Sequence, residues 1–182
     1  MKIYLAGPDV FLPDAVAIGQ RKREICARHG MSGLFPLDNT VDLTARDSSL
    51  QIFKGNEAMM DVADAIIANL TPFRGPGADA GTVYELGYMA GRSKRCLAYC
   101  NDPAPYAERV ARVTIVTPTP DKRLVDRDGL TVEDFGLPDN LMMIHALELH
   151  GHPLVLTQAI PEDIWRDLSA FEACVRLLAS KD

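Results

Sequence analysis

Apolar and polar positions along the chain follow two periods, and the switches between them mark out the elements. Lys2–Ala6 is a short apolar run ending in Gly7-Pro8, which reads as a strand and a tight loop. Pro13 and Asp14 open a helix with Ile18, Ile25 and Cys26 inward, and Gly30 stops it. Gly33–Pro36 reads as a second strand leading into the polar loop Leu37–Thr40. Ser48 or Ser49 caps the next helix, where Leu50, Phe53 and Met60 are spaced for one face. The run Asp64–Leu70 is bounded by turn residues and predicts a buried strand over 65–70. A Gly/Pro-rich turn from Thr71 to Ala78 precedes a helical pattern with Val83, Leu86, Gly87 and Ala90 on one face. Arg95–Cys100 is a fourth strand.

The order β-α-β-α-β-α-β with short connections implies an α/β fold, a parallel sheet with helices on both faces. Regularity fails between 101 and 135. Ala104–Val110 reads as a helical turn, Val113–Val116 as a short strand and Asp121–Asp134 as a charged segment. Asp126-Arg-Asp-Gly129 has part of the spacing of a calcium loop, but the later ligands are missing and a polar turn fits better. Pro138 starts a helix to about His150 with Leu141, Ile144, His145 and Leu149 inward. Pro153–Thr157 reads as a last strand or an extended loop. Pro161 opens a closing helix whose stripe of Ile164, Trp165, Leu168, Phe171, Val175 and Leu178 is core or subunit contact.

Composition changes this picture little. The 182 residues suit one domain over 1–182, interrupted by the irregular insert at about 101–135. A formal net charge of −6 argues against a nucleic-acid polymer as partner. No apolar run approaches the ~20 residues of a membrane span, and Met1–Gly7 lacks the apolar core of a signal peptide. Cys26, Cys96, Cys100 and Cys174 are scattered, so free thiols and a cytoplasmic location are expected.

In an open parallel sheet, ligands bind beyond the carboxyl ends of the strands. The residues expected at this rim are Tyr4 and Gly7–Phe11, then Asp38 and Asn39, then Phe73–Glu85. A phosphate loop with its lysine is missing, as is the dinucleotide fingerprint, and Arg74 is the one cation of the glycine turn. Aromatics, amides and carboxylates at a concave rim suit a flat, neutral, polar ligand such as a nucleoside, and they suit glycosyl chemistry. Glu85 is the natural nucleophile, kept ionised by the helix dipole and backbone donors, although an ordinary surface glutamate would give the same pattern. Asp79, at the probable N-cap, is placed to protonate or hydrogen-bond a leaving group. His150 and His152 lack matching carboxylates for a metal site.

Tyr4-Leu-Ala-Gly-Pro8, Asp64–Gly75 and Asp79-Ala-Gly-Thr-Val-Tyr-Glu-Leu-Gly-Tyr88 together resemble the nucleoside 2-deoxyribosyltransferase family. The loop Pro36–Asn39 and the segment Val132–Met143 extend the resemblance to about residue 150. It implies a flavodoxin-like five-stranded sheet and the transfer of 2-deoxyribose from one nucleobase to another, with retention, through a deoxyribosyl-glutamate. Glu85 is then the nucleophile, Asp79 the carboxylate at the base, and Tyr4 the hydroxyl that orients the nucleophile. Gly7, Phe11, Asn39, Asn56, Phe73 and Arg74 are expected to bind substrate. Asn140 and Met142 match positions lent by a neighbouring subunit, so a homo-oligomer with shared sites is implied. Partners are a 2′-deoxynucleoside and a free nucleobase, with no cofactor, no metal and no membrane. One departure is Asn56, where some members carry an aspartate; an amide cannot protonate a base, so base preference does not carry over.

Three rival readings are weaker. Hydrolysis of nucleoside 5′-monophosphates uses the same glutamate but needs phosphate donors, of which this rim offers only Arg74 and loop N–H groups. A phosphoribohydrolase motif would need Pro76 and Gly81 one residue closer and an adjacent glycine pair. A binding module without catalysis would be expected to lose Asp79 or Glu85, and both are present.

Overall fold

In the computed structural model, which describes residues 1–180, five parallel strands form the centre. They are β1 (Lys2–Ala6), β2 (Ser32–Leu34), β3 (Ala65–Asn69), β4 (Arg95–Cys100) and β8 (Val155–Leu156), in the spatial order β2-β1-β3-β4-β8. This is the flavodoxin-like order, with its topological switch beside β1 and β3. The register pairs Tyr4 with Ile66 and Ile66 with Cys96, so alternate residues of each strand face opposite sides. One side buries Ile3, Leu5, Ile67, Leu97 and Tyr99 under α1 (Ala15–Arg28) and α6 (Ser169–Ala179). The other buries Tyr4, Ala6, Ile66, Ala68, Cys96 and Ala98 under α2 (Ser48–Val62), α3 (Ala80–Gly91) and α5 (Leu141–His150). Strand parity therefore decides that Tyr4 points toward α3. All four cysteines are buried and free. Among the described residues no helix is long and apolar enough to cross a membrane.

The insert has structure of its own. After α4 (Tyr106–Ala111), strands β5 (Val116–Pro118), β6 (Leu124–Asp126) and β7 (Thr131–Val132) make a small antiparallel sheet. Asp126 closes the β6–β7 turn by accepting from the N–H groups of Asp128 and Leu130, each at 2.9 Å.

Several local expectations need correction. The second strand starts and ends earlier than 33–36, because Pro36 begins a 3-10 turn to Asp38. On α2 only Met60 is buried; Leu50 and Phe53 are exposed, since the helix touches the sheet through its last turns. On α5 the buried set is Met143, Ile144 and Leu147, and His145 and Leu149 face out. Val113 and Thr114 bond back to the Val110 carbonyl and finish α4 rather than start a strand. Pro161 opens no helix. Asp163 accepts from the N–H groups of Trp165 and Arg166, Asn101 holds the carbonyls of Ile164 and Asp167, and α6 begins only at Ser169. The lower part of the stripe, Leu168 to Leu178, is core.

Candidate active site

The rim is built on a buried polar scaffold. Asp9 is fully buried in the 3-10 turn after β1, with Lys22 Nζ 2.6 Å from its Oδ2 and Asn69 Nδ2 at 3.2 and 3.3 Å. Both partners and the shared hydrogen bonds satisfy a charge that would otherwise be expensive to bury. Asn69 also accepts from Thr71 N, and Thr71 Oγ1 accepts from Asn101 N, so the loops after β1, β3 and β4 are tied together. Gly7 is required at this junction, because a Cβ there would lie 2.7 Å from Asn69 Cβ.

A cavity of about 430 Å³ opens above this scaffold. Gly7, Val10 and Phe11 line it from the first loop, and Leu37, Asn39, Val41 and Leu43 from the second. Ile52 and Asn56 reach it from α2, and Asp79, Gly81, Thr82 and Glu85 from the start of α3. The walls are mostly apolar and the polar groups are few, the pattern of a small-molecule site.

Two carboxylates of this lining have different surroundings. Asp79 is the N-cap of α3, and its Oδ2 accepts from Thr82 N at 2.9 Å and from Thr82 Oγ1 at 3.0 Å. Its extended backbone and short side chain fit that role, and the other oxygen is left for the cavity. Glu85 lies deeper along the same helix and accepts from the Tyr4 hydroxyl at 2.6 Å. Burial pushes the Glu85 carboxyl up to about 7; the Tyr4 hydrogen bond holds it back, and the charge of Asp79 adds to the rise. This corrects the expectation that the helix start keeps Glu85 ionised: those donors serve Asp79 instead. Burial, then the neighbouring Glu85 charge, push the Tyr4 phenol far above its ordinary value, so it stays a donor.

Of the residues expected at the site, Gly7, Phe11, Asn39, Asn56, Asp79 and Glu85 line the cavity, and Tyr4 supports it from below. Phe73 and Arg74 are not in its lining. Phe73 stacks on Phe11 with ring centroids 5.3 Å apart, and the Arg74 guanidinium lies over both rings at 4.6 and 5.3 Å, forming a ledge at the mouth. Asn140 and Met142 also lie outside the lining. Asn140 caps α5 through Met142 N and donates to Glu133 at 2.8 Å, while Met142 is 72% exposed. Asp38, expected at the rim, pairs with Arg23 and accepts from Phe35 N. The sequence reading missed Leu37, Val41, Leu43 and Ile52, while Val10 and Thr82 lay within the expected rim segments. Thr82 sits three residues after the N-cap, where a hydroxyl can share the capping carboxylate. The apolar wall carried no such signal. Among the described residues no cluster of His, Cys, Asp or Glu is placed to hold a metal ion.

Comparison with known proteins places this geometry. The model of a family described as nucleoside 2-deoxyribosyltransferase matches residues 3–142. An uncharacterized protein of Schizosaccharomyces pombe is 30% identical over 98% of this chain and 89% of its own. Among solved structures, a 2-desoxiribosyltransferase from Leishmania mexicana is 32% identical, covers 96% of this chain and 97% of its own, and superposes with a TM-score of 0.66. A conserved protein of Enterococcus faecalis V583, 21% identical with a TM-score of 0.57, covers 86% of this chain and 91% of its own and shares the fold.

Proposed function

Because the chain belongs to the nucleoside 2-deoxyribosyltransferase family, we propose that it moves a 2-deoxyribosyl group between nucleobases through a covalent bond to Glu85. The observation that carries this reading is the Tyr4–Glu85 pair at 2.6 Å, set in the cavity that Asp79 also lines. In the first step a Glu85 oxygen attacks the anomeric carbon as its bond to the base nitrogen breaks. The departing base keeps the electron pair and takes a proton from Asp79. In the second step a nitrogen of the incoming base forms the new bond, Glu85 leaves as a carboxylate, and Asp79 takes up the proton of the incoming base. Two inversions at one carbon give net retention.

The environment supports the division of labour. A nucleophile must be ionised yet poorly solvated, and a carboxyl at about 7 with one phenol donor meets both conditions near neutral pH. Tyr4 orients the oxygen that attacks. The apolar walls Val10, Phe11, Leu37, Val41 and Ile52 suit the flat faces of a base. Asn140 and the exposed Met142 serve a neighbouring copy's cavity in this reading, which makes the working unit an oligomer. The test is incubation with thymidine and adenine, followed by chromatography. Deoxyadenosine and free thymine are expected. Free sugar without deoxyadenosine would make the enzyme a hydrolase, and no turnover would refute the reading.

A further inference from the structure

Asn39 and Asn56 both line the cavity and bond to each other, Asn39 Nδ2 donating to Asn56 Oδ1 at 3.2 Å. Among the described residues neither side-chain amide makes another hydrogen bond. A primary amide carries one carbonyl and one NH2, and after this pairing the two together still present one free acceptor and one free donor group. If both amides rotate together, the mutual bond survives and the two free groups exchange places. Among the described residues no other hydrogen bond fixes one orientation.

The pair depends on Gly55. A Cβ at that position of α2 would lie 2.6 Å from Asn39 Nδ2 and 2.8 Å from its Cγ, so only a glycine lets the Asn39 amide rest across the helix beside Asn56. A glycine inside a helix is otherwise unfavourable.

We infer that the Asn39–Asn56 pair, seated on Gly55, is a reversible reading edge that accepts nucleobases of both hydrogen-bonding polarities. A 6-oxo base offers N–H and C=O along one edge, a 6-amino base offers a bare ring nitrogen and NH2, and the coupled rotation matches either. This inference rests on the transferase reading and deepens it: an enzyme that must seat a departing and a different incoming base gains from an edge without fixed polarity.

Deoxyinosine and deoxyadenosine differ only along that edge, and their binding to the Glu85→Gln protein by calorimetry needs no turnover. The expected dissociation constants lie within about tenfold of each other, whereas an edge of fixed polarity discriminates far more strongly. Adding Gly55→Ala is expected to weaken both nucleosides by about tenfold while the melting temperature holds or rises. With Asn39→Ala already present, Gly55→Ala should add no further loss. A preference above about tenfold for one nucleoside, with transfer intact in the unsubstituted protein, overturns this inference alone. So do unchanged constants in the Gly55→Ala protein. Failure of both nucleosides to bind overturns it together with the transferase reading.

Discussion

Asp79 and Glu85 stand on one helix and line one cavity, yet the surroundings of the two carboxylates differ. At the helix start, Asp79 accepts from the Thr82 backbone N–H and hydroxyl. At the deep end, Glu85 has traded water for a single phenol, and burial raises its carboxyl to about 7. The lesson is that position along a helix, more than residue type, separates a carboxylate capped by N–H and hydroxyl donors from one desolvated against a phenol.

The sharpest way to break this comparison is to remove the deep carboxylate. Glu85→Ala should lower transfer by at least about a thousandfold, as loss of a nucleophile does elsewhere, measured by product formation from thymidine and adenine. Glu85→Gln should be equally inactive yet more stable at high pH. The folded carboxyl titrates near 7 and the unfolded one near 4.5, so stability is full below about 4.5 and is lost as pH rises through 7. The gain in unfolding free energy for Glu85→Gln above pH 7 is at most about 3 kcal/mol, and denaturant melts at pH 5 and pH 8 would reveal it. No difference between the two pH values would show that Glu85 is not desolvated.

The mouth should respond differently. Asp79→Asn keeps a good N-cap, so stability should hold while the rate falls by about a hundredfold, the usual share of proton transfer. Asp79→Ala should lose in addition about 1 kcal/mol of stability with the cap. If Asp79→Asn kept full rate with poor leaving bases, the mouth carboxylate would have no proton role.

Tyr4→Phe tests the link between the ends. The phenol holds the Glu85 carboxyl down, so its loss should move the rising limb of the pH–rate profile above 7 and slow transfer by about tenfold. A profile that stays put would mean that Tyr4 only packs. The smallest effect concerns neither end of the chain's own cavity. Asn140→Ser preserves a cap for α5 but shortens the reach, and a several-fold loss of activity is expected. Full activity in a protein that sediments as a monomer would contradict a shared site.

How far the sequence reaches depends on the kind of signal. The continuous apolar runs of β1, β3 and β4, buried on both faces, and the glycine turn before α3 were legible, since each is a local pattern with one structural solution. The Asp79 cap was legible for the same reason. The start of α6 was not, because Asn101 and Arg166 hold residues 161–168 through contacts distant in sequence. The outward turn of Leu50, Phe53 and Leu149 was hidden too, since apolar spacing alone does not say which stretch of a helix meets the sheet. At the site, Asn39 and Asn56 could be named, but Gly55 beneath them shows only once the loop and α2 are brought together. Phe73 and Arg74, expected at the rim, form a ledge with Phe11 outside the lining.

The central claim is a covalent deoxyribosyl bond to Glu85, and trapping it is the most direct test. The protein is mixed with a 2′-deoxynucleoside in the absence of acceptor base, quenched in acid, digested and read by mass spectrometry. The account predicts one deoxyribosyl group on the peptide that holds Glu85, absent from the Glu85→Gln protein. Rapid base exchange with that peptide unmodified, or the group on another residue, would contradict it.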